Sequence, residues 1–205
     1  MTRVPEGKGF EEAGVLLGSG QVVGLPTDTV YGLAALASSE SAVARLFELK
    51  ERSPSVDVAV LVADAAQARA LALDWPHPVD LLAREFWPGA LTLVLSRRVG
   101  LDWNLGSSSE SVGVRCPSHD GVRRLCAALG PLAVTSANIH GQPTPPDASG
   151  IRRIFGAGLA LVVDGGRCDG LASTVVDCRT RPPSCLREGA VAWERVESVW
   201  PASLS

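Results

Sequence analysis

The chain has 205 residues, 46 % of them hydrophobic, and a formal net charge of −3. That length and composition suit one domain with a real core, and the balance gives no global positive field to gather nucleic acid. No window holds the roughly 20 apolar residues of a membrane span, and the charged start MTRVPEGKGFEEAG does not read as a signal peptide, so a cytoplasmic protein is expected.

In chain order, the predicted strands are 21–25, 58–62, 91–95, 112–115, 132–135, 160–163 and 174–177. The predicted helices are 10–17, 39–50, 65–71, 79–86, 120–128 and 149–154. Strands alternating with helices mean an α/β domain, and uneven connections favour a mixed sheet over a purely parallel one. The Gly141–Pro146 stretch reads as a mobile loop and the last twenty residues as a loosely docked tail; no second domain is expected within residues 1–205.

Five cysteines without a C-x-x-C pair, and three scattered histidines, weigh against a disulfide framework and a structural zinc site. The basic residues comprise 17 arginines but only two lysines, Lys8 and Lys50, and Tyr31 is the sole tyrosine. A G-x-x-x-x-G-K-[ST] loop, a G-x-G-x-x-G fingerprint and a G-x-S-x-G elbow are all missing, which weakens P-loop, dinucleotide and hydrolase readings.

Candidate chemistry gathers at strand ends. In Leu25-Pro26-Thr27-Asp28-Thr29-Val30-Tyr31-Gly32, a helix N-cap explains one of Thr27, Asp28 and Thr29 but not all of them together with Tyr31. A polar pocket at a strand's carboxyl end is the better reading. Val43, Leu46, Phe47 and Lys50 share one helical face, so Lys50 extends a buried stripe. With Arg52 it suggests an anion site, since a point charge and a planar fork suit phosphate. Phe86-Trp87-Pro88-Gly89 reads as packing. Ser111 to Arg115 places an arginine at a strand end, and Thr135-Ser136-Ala137-Asn138 reads equally as an anion-binding turn or an Asx turn. Ser173 to Asp177 and Arg187-Glu188-Gly189 also allow plain strand sequence.

Taken in order, PTDTVYGL, K-x-R, FWPGALTLVL, VGVRCP, TSANIHGQPTP and DGG…STVVD with REG resemble the YrdC/Sua5 family over residues 22–189, leaving 190–205 as the tail. The resemblance implies a twisted mixed sheet with flanking helices around a concave, basic cavity. Sua5-type members carry a further C-terminal domain, so the chain is similar to the stand-alone YrdC type. The implied activity is synthesis of threonylcarbamoyl-adenylate from L-threonine, bicarbonate and ATP, with Mg2+ on the ATP phosphates. A separate transferase complex would then complete N6-threonylcarbamoyladenosine in tRNA.

By the same resemblance, Lys50, Arg52, Ser136, Asn138, Thr144 and Arg187 hold ATP, with Lys50 and Arg52 as the catalytic pair. Thr27, Thr29, Ser111, Arg115 and Ser173 hold threonine. Val56, Asp57, Leu61 and Ala172 depart from the family pattern, which implies contacts missing or supplied elsewhere. Two rivals are a non-catalytic relative binding tRNA or double-stranded RNA through Arg97-Arg98, Arg123-Arg124 and Arg152-Arg153, and a carbamoyl-transfer module of the hydrogenase-maturation type.

Overall fold

A computed structural model describes residues 6–50, 57–139 and 141–200. Its elements are α1 (Glu6–Gly18), β1 (Val23–Leu25), β2 (Gly32–Leu36), α2 (Glu40–Leu49), β3 (Ala59–Leu61), α3 (Ala65–Arg69), α4 (His77–Phe86) and β4 (Leu91–Ser96). There follow β5 (Ser111–Arg115), α5 (Asp120–Leu129), β6 (Leu132–Ser136), α6 (Ala148–Phe155), β7 (Leu161–Val162), β8 (Thr174–Asp177), β9 (Ser184–Arg187) and α7 (Trp193–Val199). The helices start where side chains can take up free backbone N–H groups. Asp64 accepts from Gln67 N at 2.8 Å and Asp147 from Gly150 N at 2.8 Å, while Ser39 caps α2.

The described strands form one sheet in the order β7-β1-β2-β6-β3-β5-β4-β8-β9. Parallel pairs (β1–β7, β3–β5, β4–β8) lie among antiparallel ones, so the sheet is mixed, as expected. Successive residues of a strand face opposite sides. Leu33, Val60, Leu91, Leu93, Val112, Val114 and Val176 share one core with Leu46 of α2, Leu82 of α4, Ile151 of α6 and Val196 of α7. On the opposite face Leu25, Ala34, Leu61 and Leu132 pack with Leu17 of α1 and Leu125 of α5. Those two helices cover only part of that second face. Beyond them the same alternation turns Thr92, Val94, Ser111, Gly113, Arg115 and Val175 toward a cavity.

Two elements differ from the sequence reading. No strand is predicted over residues 32–36, yet Gly32–Leu36 pairs with both β1 and β6 and is almost wholly buried. GLAAL has no β-branched residue, and burial on both faces leaves no alternation to see. Gly32 is required there, because a Cβ would lie 2.6 Å from Val134 Cγ1. The tail is not loosely docked through residue 200: Val196 and Trp200 are 0 % and 6 % exposed and join the main core, with Arg195 over the Phe86 ring. Removing a buried tryptophan costs about 3–5 kcal/mol, so Trp200→Ala should lower the urea midpoint substantially. An unchanged midpoint would show that α7 is an appendage.

Candidate active site

The β1–β2 connection carries the first group of polar side chains. Thr27 Oγ1 donates to Val30 O at 2.6 Å, accepts from Thr29 N at 3.1 Å and lies 3.0 Å from Thr29 Oγ1. Both threonines are buried and face the cavity. Tyr31 lines the cavity as well, with its hydroxyl used structurally. It donates to Gly166 O at 2.8 Å and accepts from Gly165 N at 3.1 Å, tying β2 to the 165–166 turn. Burial pushes the phenol up to about 12, so it stays protonated.

Arg115, at the end of β5, is gripped from three directions. Nε donates to Gly89 O at 2.9 Å, Nη1 to Thr29 Oγ1 at 3.0 Å and Nη2 to Asp28 Oδ1 at 2.7 Å. Burial pulls its proton affinity down, and the Asp28 carboxylate opposes that. The Phe86–Gly89 turn is therefore more than packing: Gly89 N also donates to Cys116 O at 2.8 Å, fixing the carbonyl that holds Arg115. A Cβ on Gly89 would stand 2.3 Å from Phe86 O, so only glycine fits. Of the five guanidinium N–H groups, these bonds leave two for a ligand.

The opposite wall is built from β8 and β9. Arg187 donates to Ser173 O through Nη2 at 2.9 Å and Nε at 3.2 Å, and to Ser173 Oγ at 3.3 Å. Among the described residues it has no carboxylate partner; burial, then the nearby Arg115 charge, lowers its pKa. Thr174 Oγ1 accepts from Gly189 N at 2.9 Å and Val191 N at 3.1 Å, strapping the Arg187–Gly189 turn to the start of β8.

Thr27, Thr29, Ser111, Arg115, Ser136, Thr144, Ser173 and Arg187 all line one cavity of about 580 Å³. Leu61, Asp57 and Ala172, three of the departures, line it as well. Arg52 and Val56 lie outside the described residues. Ser111 Oγ donates to Ser108 Oγ at 2.7 Å. Lys50 and Asn138 are not in the cavity wall but behind it. Lys50 is 2 % exposed, and its ammonium donates to Ser136 O at 2.7 Å, Asn138 Oδ1 at 2.8 Å and Asn138 O. Asn138 Oδ1 also accepts from Ser136 Oγ at 2.6 Å, and Nδ2 donates to Ile139 O and Gln142 O. The expected buried stripe is present, and its lysine anchors the Ser136 turn. The 141–146 loop is tethered at both ends by this amide and by Cys168 N donating to Pro146 O at 2.8 Å.

Sequence reasoning missed Asp28 as the partner of Arg115, and also Thr92 and Arg179. Thr92 could have been found from β-alternation, since its neighbours Leu91 and Leu93 are core. Three arginines (Arg115, Arg179, Arg187) and one aspartate (Asp57) line the cavity, but Arg115 and Arg179 are paired with Asp28 and Asp177. Within the arginine doublets, Arg97 is 8 % exposed and donates to Trp103 O, Arg123 pairs with Asp120 and Arg152 donates to Val162 O at 2.6 Å, while Arg98, Arg124 and Arg153 are exposed.

Replacing Lys50 by methionine strips donors from buried carbonyl groups. Lys50→Met should cost about 1–3 kcal/mol of stability or more, read as a lower denaturation midpoint. A wild-type midpoint would contradict this anchoring role.

Comparison with known proteins agrees with this geometry. A Sua5/YciO/YrdC family model, described as "Telomere recombination", matches residues 15–189. A Mycobacterium tuberculosis protein assigned provisionally as threonylcarbamoyl-AMP synthase is 40 % identical over 94 % of this chain and 89 % of its own length. The Bacillus subtilis threonylcarbamoyl-AMP synthase is 36 % identical over 92 % of this chain and 55 % of its own. Among solved structures, Pyrococcus abyssi Sua5 complexed with L-threonine superposes with a TM-score of 0.90 at 36 % identity, covering 97 % of this chain and 58 % of that one. The chain thus spans little more than half the length of the Pyrococcus protein. Escherichia coli YciO shares the fold, with a TM-score of 0.83 at 22 % identity. From the cavity-lining motifs, the sheet that carries them and these matches together, the chain belongs to the Sua5/YciO/YrdC family.

Proposed function

We propose that this protein is a threonylcarbamoyl-AMP synthase, converting L-threonine, bicarbonate and ATP to threonylcarbamoyl-AMP and pyrophosphate for tRNA modification. The observation that carries the reading is the pairing of two cations across one cavity. Arg115 is pre-aimed by Asp28, Thr29 and Gly89, and Arg187 lacks a carboxylate partner among the described residues. A cavity of about 580 Å³ falls within the usual range for small-molecule sites.

In this reading Arg115 receives the threonine carboxylate, because its fixed guanidinium keeps two N–H groups for oxygen. Bicarbonate takes up a proton and releases water and CO2; the threonine amine lone pair bonds to the CO2 carbon, and the proton it loses replaces the one taken up, giving a carbamate. A carbamate oxygen then attacks the α-phosphorus, and the bond to pyrophosphate breaks. Arg187, with Ser136 and Thr144 further along the wall, faces the phosphates; magnesium arrives on the nucleotide. The protein's part is positioning and charge stabilisation, which suits phosphoryl chemistry without a histidine base. The adenylate would pass to a separate transferase.

The direct test is to incubate the protein with ATP, bicarbonate and L-threonine and to detect the adenylate by mass alongside pyrophosphate. Serine should react poorly and valine worse, because a pocket that pairs with a substrate hydroxyl rejects an isostere lacking it. Equal rates with threonine and valine would show that the hydroxyl is not read.

A further inference from the structure

Thr92 on β4 is 3 % exposed and Ser173, just before β8, is 7 % exposed; both line the cavity, with their hydroxyl oxygens 2.9 Å apart. β4 and β8 are parallel neighbours with Leu91 opposite Thr174, so the pair is fixed by strand register and not by chance rotamers. Two hydroxyls carry two protons, and their mutual bond uses one. Arg187 Nη2 approaches Ser173 Oγ at 3.3 Å, but as a cation it only donates. One hydroxyl proton of the pair therefore has no protein acceptor among the described residues. Both side chains are buried except toward the cavity, so that proton is offered to a ligand there. A buried donor left without a partner is costly, which makes an acceptor on the ligand the natural completion.

The charge around the pair defines that acceptor. Arg187 holds the Ser173 carbonyl, and Arg115 stands near enough for its charge to disfavour that of Arg187. An anionic oxygen between them relieves the repulsion and accepts the spare proton. In the synthase reading Arg115 takes the amino acid and Arg187 the nucleotide phosphates, which puts the junction of the two substrates between them.

We propose that Thr92 is a further catalytic residue, forming with Ser173 a hydroxyl pair that donates one hydrogen bond to an anionic oxygen where the carbamate of threonine meets the α-phosphate of ATP. This rests on the synthase reading given above. The donor is preorganised for charge that shifts during attack on phosphorus, so its loss should appear in turnover more than in substrate affinity. Thr92→Val keeps the shape and removes the hydroxyl, whereas Thr92→Ser keeps the hydroxyl and loses a methyl group.

The experiment measures steady-state adenylate formation, with threonine and ATP each varied, for wild type, Thr92→Val and Thr92→Ser, together with their thermal midpoints. A hydrogen bond to a charged group predicts that kcat falls about ten- to a hundred-fold in Thr92→Val with both KM values little changed. Thr92→Ser should recover most of the loss. Wild-type kcat in Thr92→Val overturns the proposal, whether or not the midpoint moves, and reduces Thr92 to packing. A rise confined to the threonine or ATP KM also overturns it, because the hydroxyl would then read a ground-state group. Failure of Thr92→Ser to rescue turnover would contradict the hydroxyl's role. Absence of adenylate from the wild type alone would overturn the synthase reading itself, and this inference with it.

Discussion

The buried guanidinium of Arg115 is the constraint on which the site depends. A charge taken out of water is costly unless it is paired and every donor near it is matched. Here the side chain is 7 % exposed and is met by Asp28, Thr29 and the Gly89 carbonyl. Those partners come from two distant turns, so satisfying one arginine fixes the β1–β2 connection and the Phe86–Gly89 turn against the end of β5. The same bonds leave the outer part of the fork facing the cavity. In the proposed function, structural demand and ligand recognition use one group.

The cavity itself follows from incomplete cover on one sheet face. Helices α2, α3, α4, α6 and α7 pack on the first face, but α1 and α5 reach only the β7, β1, β2, β6 and β3 region of the second. Where they stop, alternation continues to point side chains outward, and those positions carry Thr92, Ser111, Gly113 and Arg115 instead of leucine. Gly113 leaves open space, since its missing Cβ would meet only Thr92 and Val94 at ordinary contact distance. On the far side, Lys50 and Asn138 hold the Ser136 turn in the wall by hydrogen bonds.

Much of this was legible in the sequence because polar residues at strand ends are an unusual pattern. Thr27 and Thr29 could be marked from position and chemistry, Arg115 and Ser136 more weakly, and Ser173 and Arg187 through the family resemblance; the structure brings all six together. What escaped were features whose meaning depends on distant partners. β2 lacks a local strand signature, and α7 is held by contacts with α4 that its short, polar sequence does not announce. Tyr31 stood out as the sole tyrosine in a pocket motif, but that its hydroxyl is spent on Gly165 and Gly166 depends on a distant turn. Lys50 was rightly placed on a buried face; that its ammonium would meet backbone carbonyls some 86 residues away could not be read from a helical period.

The central claim is that Arg115, held as a planar fork, reads the threonine carboxylate. The most direct measurement is a calorimetric titration of L-threonine into wild type and Arg115→Lys, with folding checked by circular dichroism. Lysine retains the charge but supplies neither the fork nor its three anchoring bonds. The expected result is a folded variant whose threonine affinity has fallen by about tenfold or more, in line with losing a charge-assisted bond. Unchanged threonine affinity in a folded Arg115→Lys protein would contradict the claim.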